Sequence, residues 1–110
     1  MKTSEIKFTV KLDENHLPLS IDWEASDGKE KSQCKSIMIA LWDAKENNTL
    51  RIDLWTKDMM VEEMKHFFHQ SLISMADTFN RATGEEKIVT EMKEFCRYFA
   101  EKMELIEKKL

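Results

Sequence analysis

The sequence predicts an α+β fold, in which a three-stranded, largely antiparallel sheet is covered on one face by helices. Three observations lead to this class. Apolar residues alternate near the start of the chain and again near its middle, and they recur at helical spacing in the second half. The elements follow in the order ββαβαα. Because the chain has no internal repeat and its length is typical of one domain, we expect residues 1–110 to form a single domain.

Three strands are predicted from alternation. Two of them flank a turn that ends near Pro18, and we expect them to pair as an antiparallel hairpin. The third covers residues 50–55 and is expected to bury Leu50, Ile52 and Leu54. The alternating apolar residues of the first two strands are Ile6, Phe8, Val10 and Leu12, then Leu19, Ile21, Trp23 and Ala25.

A first helix is predicted after a solvated connection over residues 29–31. Ser32 is a plausible N-cap, since its hydroxyl can accept a backbone N–H of the first turn. Apolar residues then follow the i, i+3, i+4, i+7, i+8 spacing of an amphipathic helix. These residues are Cys34, Ile37, Met38, Leu41 and Trp42.

Two further helices are predicted in the second half. Asp58 is a plausible cap for one of them, and Thr83 and Glu86 have capping-box spacing for the other. The apolar stripe of the former contains Val61, Met64, Phe67 or Phe68, Leu72, Met75 and Phe79. The last helix has a heptad seam, made of Met92, Cys96, Phe99, Met103, Ile106 and Leu110.

Composition excludes several classes of protein. The net charge of −4 is evenly spread along the chain. Residues 1–55 contain 8 basic and 10 acidic side chains, and residues 56–110 contain 9 basic and 11 acidic ones. No basic patch therefore predicts binding to nucleic acid or to lipid headgroups. The longest apolar run, Ile37–Trp42, is far shorter than the roughly 20 residues that insert into a bilayer. Without a secretory signal at Met1, the isolated Cys34 and Cys96 are expected to be reduced thiols of a cytoplasmic protein.

The candidates for metal or catalytic chemistry are few. His66 and His69 are three residues apart on a helix, and Glu62 precedes His66 by four, so together they offer three possible zinc ligands. The alternative is that both histidines flank the Phe67-Phe68 pair at the edge of the core. We expect no catalytic residue, no cofactor and no metal. Two alternatives stay open: an enzyme or metal protein that uses these histidines, and a carrier of a small apolar ligand.

A binding surface is predicted around the third strand. If Leu50, Ile52 and Leu54 face the core, Arg51, Asp53 and Trp55 lie on the opposite face, and Met59 and Met60 can extend the patch. Trp and Arg are enriched where protein partners bind. Trp55 could instead fold under the next helix as part of the core. The seam of the last helix further predicts a homodimer, because its C-terminal apolar positions extend beyond what the preceding helix can cover. The alternative is a C-terminal tail that frays, since terminal turns are poorly held.

Several long strings of residues resemble a known family. They are Met1-Lys2-Thr3-Ser4-Glu5-Ile6-Lys7-Phe8-Thr9-Val10, Thr49-Leu50-Arg51-Ile52-Asp53-Leu54-Trp55-Thr56-Lys57, the stretch from Met64-Lys65-His66-Phe67-Phe68-His69-Gln70 through Ser74-Met75-Ala76-Asp77-Thr78-Phe79, and the stretch from Glu94-Phe95-Cys96 through Ala100-Glu101-Lys102. In these the chain resembles the GldC family of gliding motility proteins of Bacteroidetes, with Met60 where a proline is expected. The resemblance implies a small cytoplasmic protein that associates with protein partners of the gliding apparatus, with no activity attached to a residue.

Overall fold

The computed structural model describes residues 1–28 and 30–106, which form five β-strands followed by two α-helices, and this confirms the α+β class. The residues group into two compact units, Met1–Met59 and Met60–Leu110. All strands belong to the first unit and both helices to the second. That the chain forms one domain, with helices covering a sheet, stays a prediction. The elements are β1 (Ile6–Leu12), β2 (Pro18–Ala25), β3 (Glu30–Cys34), β4 (Ser36–Asp43), β5 (Asn48–Trp55), α1 (Val61–Thr83) and α2 (Glu86–Lys102).

The first sheet has the strand order β1-β2-β3, and both pairs are antiparallel. The predicted hairpin of β1 and β2 is confirmed, with Phe8 opposite Trp23 and Val10 opposite Ile21. Ile21 is completely buried, as expected for an apolar residue of the central strand. Residues 30–34, predicted in part as a solvated connection, instead form β3 and pair with the second edge of β2. Lys29 lies outside the described residues.

The predicted helix at Cys34, Ile37, Met38, Leu41 and Trp42 is wrong, because Ser36–Asp43 form the strand β4. A continuous apolar run satisfies helical and strand patterns equally, so periodicity alone does not distinguish them. The β-branched residues Ile37 and Ile39 favour a strand. All eight residues of β4 pair with β5 across the turn 44–47, where Asn47 adopts the left-handed conformation that asparagine tolerates.

The predicted third strand is present as β5, but its expected burial is only partly correct. Leu54 is half-buried and lies opposite the buried Ile37. Leu50 and Ile52 are 51% and 49% exposed. They lie toward the turn of a two-stranded sheet, where such a hairpin alone has little with which to cover its faces.

The second unit is a helical hairpin in which α1 packs against α2. Small and medium side chains are buried between the two helices. An ion pair joins Asp77 to Lys93 at 2.5 Å. Met60, not Asp58, is the N-cap of α1, and its backbone N–H donates to the carboxylate of Glu63 at 2.9 Å. The buried residues are Ala76, Val89, Cys96 and Ala100.

Two predicted boundaries of the last helix are corrected. Thr83 ends α1 and does not cap α2, whose N-cap is Glu85. The helix α2 ends at Lys102, because Glu104 adopts a left-handed conformation and the N–H of Leu105 donates to the carbonyl of Ala100 at 2.8 Å. The C-terminal part of the predicted seam is therefore not helical at Met103 and Ile106, and Leu110 lies outside the described residues.

Gly84 provides a test of the helical hairpin. It caps α1 in the left-handed conformation at φ 69°, and a Cβ added there meets no atom within 4 Å. Gly84→Ala is therefore expected to lower the free energy of unfolding by about 1 to 2 kcal/mol through backbone strain alone. Gly84→Asn is the matched control and should lose less, because asparagine tolerates this conformation. Urea unfolding measures both, and an alanine variant as stable as the wild type would contradict the assignment.

Candidate functional site

The register of β4 and β5 determines which side chains share a face. Residues directly opposite in an antiparallel pair project to the same side, and this side alternates along each strand. Trp55 lies opposite Ser36, Arg51 opposite Ala40 and Thr49 opposite Trp42. One face of the hairpin therefore presents Trp42, Arg51, Asp53 and Trp55, and we call these four residues the tryptophan face.

Both tryptophans of this face are largely open to solvent, Trp42 at 68% and Trp55 at 57%. Because Trp42 is six residues from the partner of Trp55, the two positions are about 20 Å apart at the rise of a β-strand. The residues of the first unit do not bury the ring of Trp55. Two large aromatic side chains thus lie at the two ends of one exposed strand face.

An ion pair lies between the two tryptophans. The Arg51 Nε donates to Asp53 Oδ2 at 3.1 Å and Nη2 donates to Oδ1 at 3.0 Å, so the two planar groups meet in a bidentate arrangement. The hydrogen bond to Asp53 raises the pKa of Arg51. Both side chains are nearly half-exposed, so the pair adds little to stability. It does hold the guanidinium in a fixed orientation on the face.

A groove of about 460 Å³ adjoins Trp55 and is lined by Leu17, Pro18, Asp53, Leu54, Trp55 and Lys57. Its wall is fixed by Lys57, whose backbone N–H donates to the carbonyl of Pro18 at 3.1 Å and whose Nζ donates to Asp13 Oδ2 at 2.8 Å. Asp13 also accepts the backbone N–H groups of Asn15 and Leu17. These bonds tie the β1–β2 turn to the end of β5.

The segment after β5 is held by Thr56, which is 2% exposed. Its backbone N–H donates to the carbonyl of Lys35 at 2.8 Å, and its hydroxyl donates to Asp58 Oδ1 at 2.5 Å. The hydroxyl also lowers the pKa of Asp58. These two bonds satisfy a buried polar residue and anchor the backbone directly after Trp55.

The structure brings together three of the five predicted surface residues, Arg51, Asp53 and Trp55. Met59 is half-buried, and Met60 is exposed in front of α1 in the second unit. The residue that the sequence analysis missed is Trp42, which the predicted helix had assigned to an apolar stripe. The signal that could have located it is the pair of β-branched residues in its apolar run, which favours a strand and hence an alternating face.

The two histidines occupy different environments. His66 is exposed, whereas the ring of His69 stacks on Phe99 with 6.3 Å between centroids and an interplanar angle of 3°. The carboxylate of Glu62 accepts a hydrogen bond from Lys65 at 3.0 Å. Within residues 1–28 and 30–106, no group of three or more His, Cys, Asp or Glu side chains is arranged to hold a metal.

The cysteines Cys34 and Cys96 are both unpaired thiols, and burial raises the pKa of each. A thiol with a raised pKa is a poor nucleophile, because the thiolate is the reactive form. In the part of the chain that the structure describes, neither helix is long and apolar enough to cross a membrane.

Comparison with known proteins gives one match. The family model described as "Gliding motility-associated protein GldC-like" matches residues 18–105, which include β2 to α2 and the whole tryptophan face. The curated proteins gave no match, and neither did the solved structures. The family that the sequence resembles is thereby confirmed.

The Asp13–Lys57 bond predicts a specific pH dependence. The hydrogen bond from Lys57, together with those from the backbone, lowers the pKa of Asp13 below its usual value of 3.8. The stabilisation by ionised Asp13 is therefore complete above the unfolded-state pKa of about 3.9 and is lost as the pH falls through the lower folded-state pKa.

In urea unfolding, the stability difference between the wild type and Asp13→Asn should shrink as the pH is lowered below about 4. Glu14→Gln, which removes an exposed charge from the same turn, is the control and should show a smaller pH-dependent difference. A difference between the wild type and Asp13→Asn that does not change with pH would contradict the proposed bond.

The histidines give a second test. Stacking on Phe99 predicts that His69→Ala lowers the free energy of unfolding by about 1 kcal/mol, whereas the exposed His66 should be replaceable by Ala with little change. A metal site would need both side chains. Thermal unfolding with and without chelator, and elemental analysis of untagged protein, distinguish the two cases. Stoichiometric zinc with equal losses in both variants would refute the packing role.

Proposed function

Because this chain belongs to the GldC-like family of gliding motility-associated proteins, we propose that it is a non-enzymatic accessory component of the gliding machinery. It acts by binding other proteins of that machinery, and its principal contact surface is the tryptophan face with Met59 and Met60 at its margin. The proposal includes a cytoplasmic location, supported by two unpaired cysteines. It also includes a homodimer in which α2 takes part.

The observation that carries the proposal is the exposure of two tryptophans on either side of an oriented Arg–Asp pair. Tryptophan and arginine are the residue types that most often dominate binding energy at protein interfaces. A tryptophan contributes a large contact area with few rotatable bonds, so little conformational entropy is lost when a partner covers it. The bidentate pair supplies polar groups that are already oriented. This combination supports a contact with a folded protein surface.

The groove beside Trp55 supports a recessed contact next to the flat one. Its lining combines Leu17, Pro18 and Leu54 with the polar groups of Asp53 and Lys57. Since Asp13 and the Pro18 carbonyl hold Lys57 in place, the groove exists before a partner arrives. A preformed site loses less free energy to ordering on binding. An apolar side chain of the partner, flanked by polar groups, fits such a groove.

A non-enzymatic role is supported by the environment of the candidate catalytic groups. The thiol of Cys96 is buried between the helices, and its pKa is raised. His69 is engaged in stacking with Phe99. The titratable groups whose pKa is lowered, Asp13 and Asp58, hold turns together by hydrogen bonds to Lys57 and Thr56. These are structural roles, and they support binding over catalysis.

The test is Trp55→Ala in a gliding bacterium that carries this gene. Because the side chain is exposed, the variant should keep its melting temperature but lose at least about 2 kcal/mol of binding free energy toward the partners that the wild type captures. Affinity capture followed by mass spectrometry, and gliding on agar, are the two readouts. A core position would instead cost about 3–5 kcal/mol of stability.

Ile52→Ala is the matched control, since it removes a half-exposed apolar side chain from the other face of the same strand. It should leave both capture and gliding intact. Trp42→Ala should also reduce capture of the partners, as Trp55→Ala does. The proposal fails if Trp55→Ala and Trp42→Ala capture the same gliding proteins as the wild type, or if only Ile52→Ala loses them.

A further inference from the structure

The apolar stripe predicted for α1 is present, but much of it is exposed. The helix positions 61, 68, 75 and 79 recur at intervals of seven and four residues and therefore share one side of α1. The helix α2 packs on an adjacent side, where Ala76 is buried and His69 stacks on Phe99. The core of the helical hairpin thus leaves this stripe outside.

An apolar stripe of α2 continues the one on α1. Ile88 and Phe95 are seven residues apart and lie beside the buried positions of α2. A groove of about 230 Å³ is lined by Val61, Met64, Lys65 and Phe68 of α1 together with Phe99 of α2. The ring of Phe99 in turn lies 6.3 Å from that of Phe95, so the two stripes meet at Phe99. The ion pair of Asp77 and Lys93 lies on the opposite side of the hairpin. We call the joined stripes the apolar helix face, defined by Phe68, Met75, Phe79, Ile88 and Phe95.

The flank of this face on α1 is formed by small uncharged side chains, and the guanidinium of Arg81 reaches its edge, where Nη2 donates to the Thr78 hydroxyl at 3.2 Å. Its residues are Ser71, Ser74, Thr78 and Ala82, which lie at i+3 or i+4 steps along one side of the helix. Small uncharged side chains allow another helix to approach closely. An interface centre depleted of charge is typical of contacts between identical chains, because a copy of the same surface meets no like charge there.

The exposed area is sufficient for such a contact. The five residues of the face are between 39% and 57% exposed. At about 200 Å² for each fully exposed large side chain, they present on the order of 500 Å². Two copies together reach about 1,000 Å² before any flanking residue is counted, which is the lower bound for a specific interface.

We infer that the apolar helix face binds the same face of a second copy of this chain, so that two helical hairpins associate about a two-fold axis into a four-helix bundle. This differs from a dimer through the heptad seam of α2, because Cys96 of that seam is buried within the hairpin and α2 ends at Lys102. This inference shares with the proposed function only the expectation of a dimer. The apolar helix face contains no residue of the tryptophan face.

Light scattering coupled to size exclusion tests the inference on the full chain. At micromolar concentration the wild type should have twice the 13.1 kDa mass of one chain. Phe95→Glu and Met75→Glu place a charge at the centre of the interface and should each weaken dimerisation at least tenfold while the circular dichroism spectrum is unchanged. Gln70→Glu introduces the same charge on the opposite side of α1 and should remain dimeric.

A measurement on the wild type keeps the test decisive if a variant fails to fold. Hydroxyl-radical oxidation of Met75 and Phe95 should fall as the concentration rises into the dimeric range, while oxidation of Trp42 should not change. A monomeric mass at micromolar concentration, or equal oxidation of Met75 at both concentrations, overturns the inference. A dimer that persists in both glutamate variants overturns it as well. Loss of partner capture in Trp55→Ala changes none of these readouts, so the two proposals fail separately.

Discussion

The pairing of β4 with β5 is the constraint on which the candidate site depends. Side chains alternate along a strand, so a shift of one residue would move every side chain of the hairpin to the other face. In the observed register, Trp42 and Trp55 share a face with Arg51 and Asp53. The isoleucine and leucine residues of both strands share the other face. The turn at Asn47 and the buried Thr56 hold the two ends of this hairpin. The geometry of the tryptophan face follows from these backbone features.

Much of the fold could be predicted from the sequence because most elements have an unambiguous pattern. Alternation located β1, β2 and β5, and helical spacing located α1 and most of α2. The stretch Ile37–Trp42 could not be assigned correctly, since an unbroken apolar run has no period of its own. Its strand conformation depends on the partner β5, which is a tertiary effect. The end of α2 was missed for another reason, because Glu104 occupies a left-handed position where glycine is the usual signal.

The candidate site was predicted in part for the same reasons. Arg51, Asp53 and Trp55 follow from alternation within one strand. Trp42 depends on the pairing of two strands, which the sequence alone did not reveal. The helical hairpin shows a similar limit, since the apolar stripe of α1 was recognised but its exposure was not. Periodicity identifies which side chains share a face, and packing decides whether that face is covered.

The central claim, that the register of β4 and β5 creates the tryptophan face, is tested most directly by nuclear Overhauser contacts in the isotope-labelled chain. The account predicts cross-strand contacts between the backbones of Trp42 and Thr49 and between those of Ala40 and Arg51. Contacts between residues three apart within 34–42 would instead indicate a helix. Such a helix, or cross-strand contacts displaced by one residue, would contradict the account.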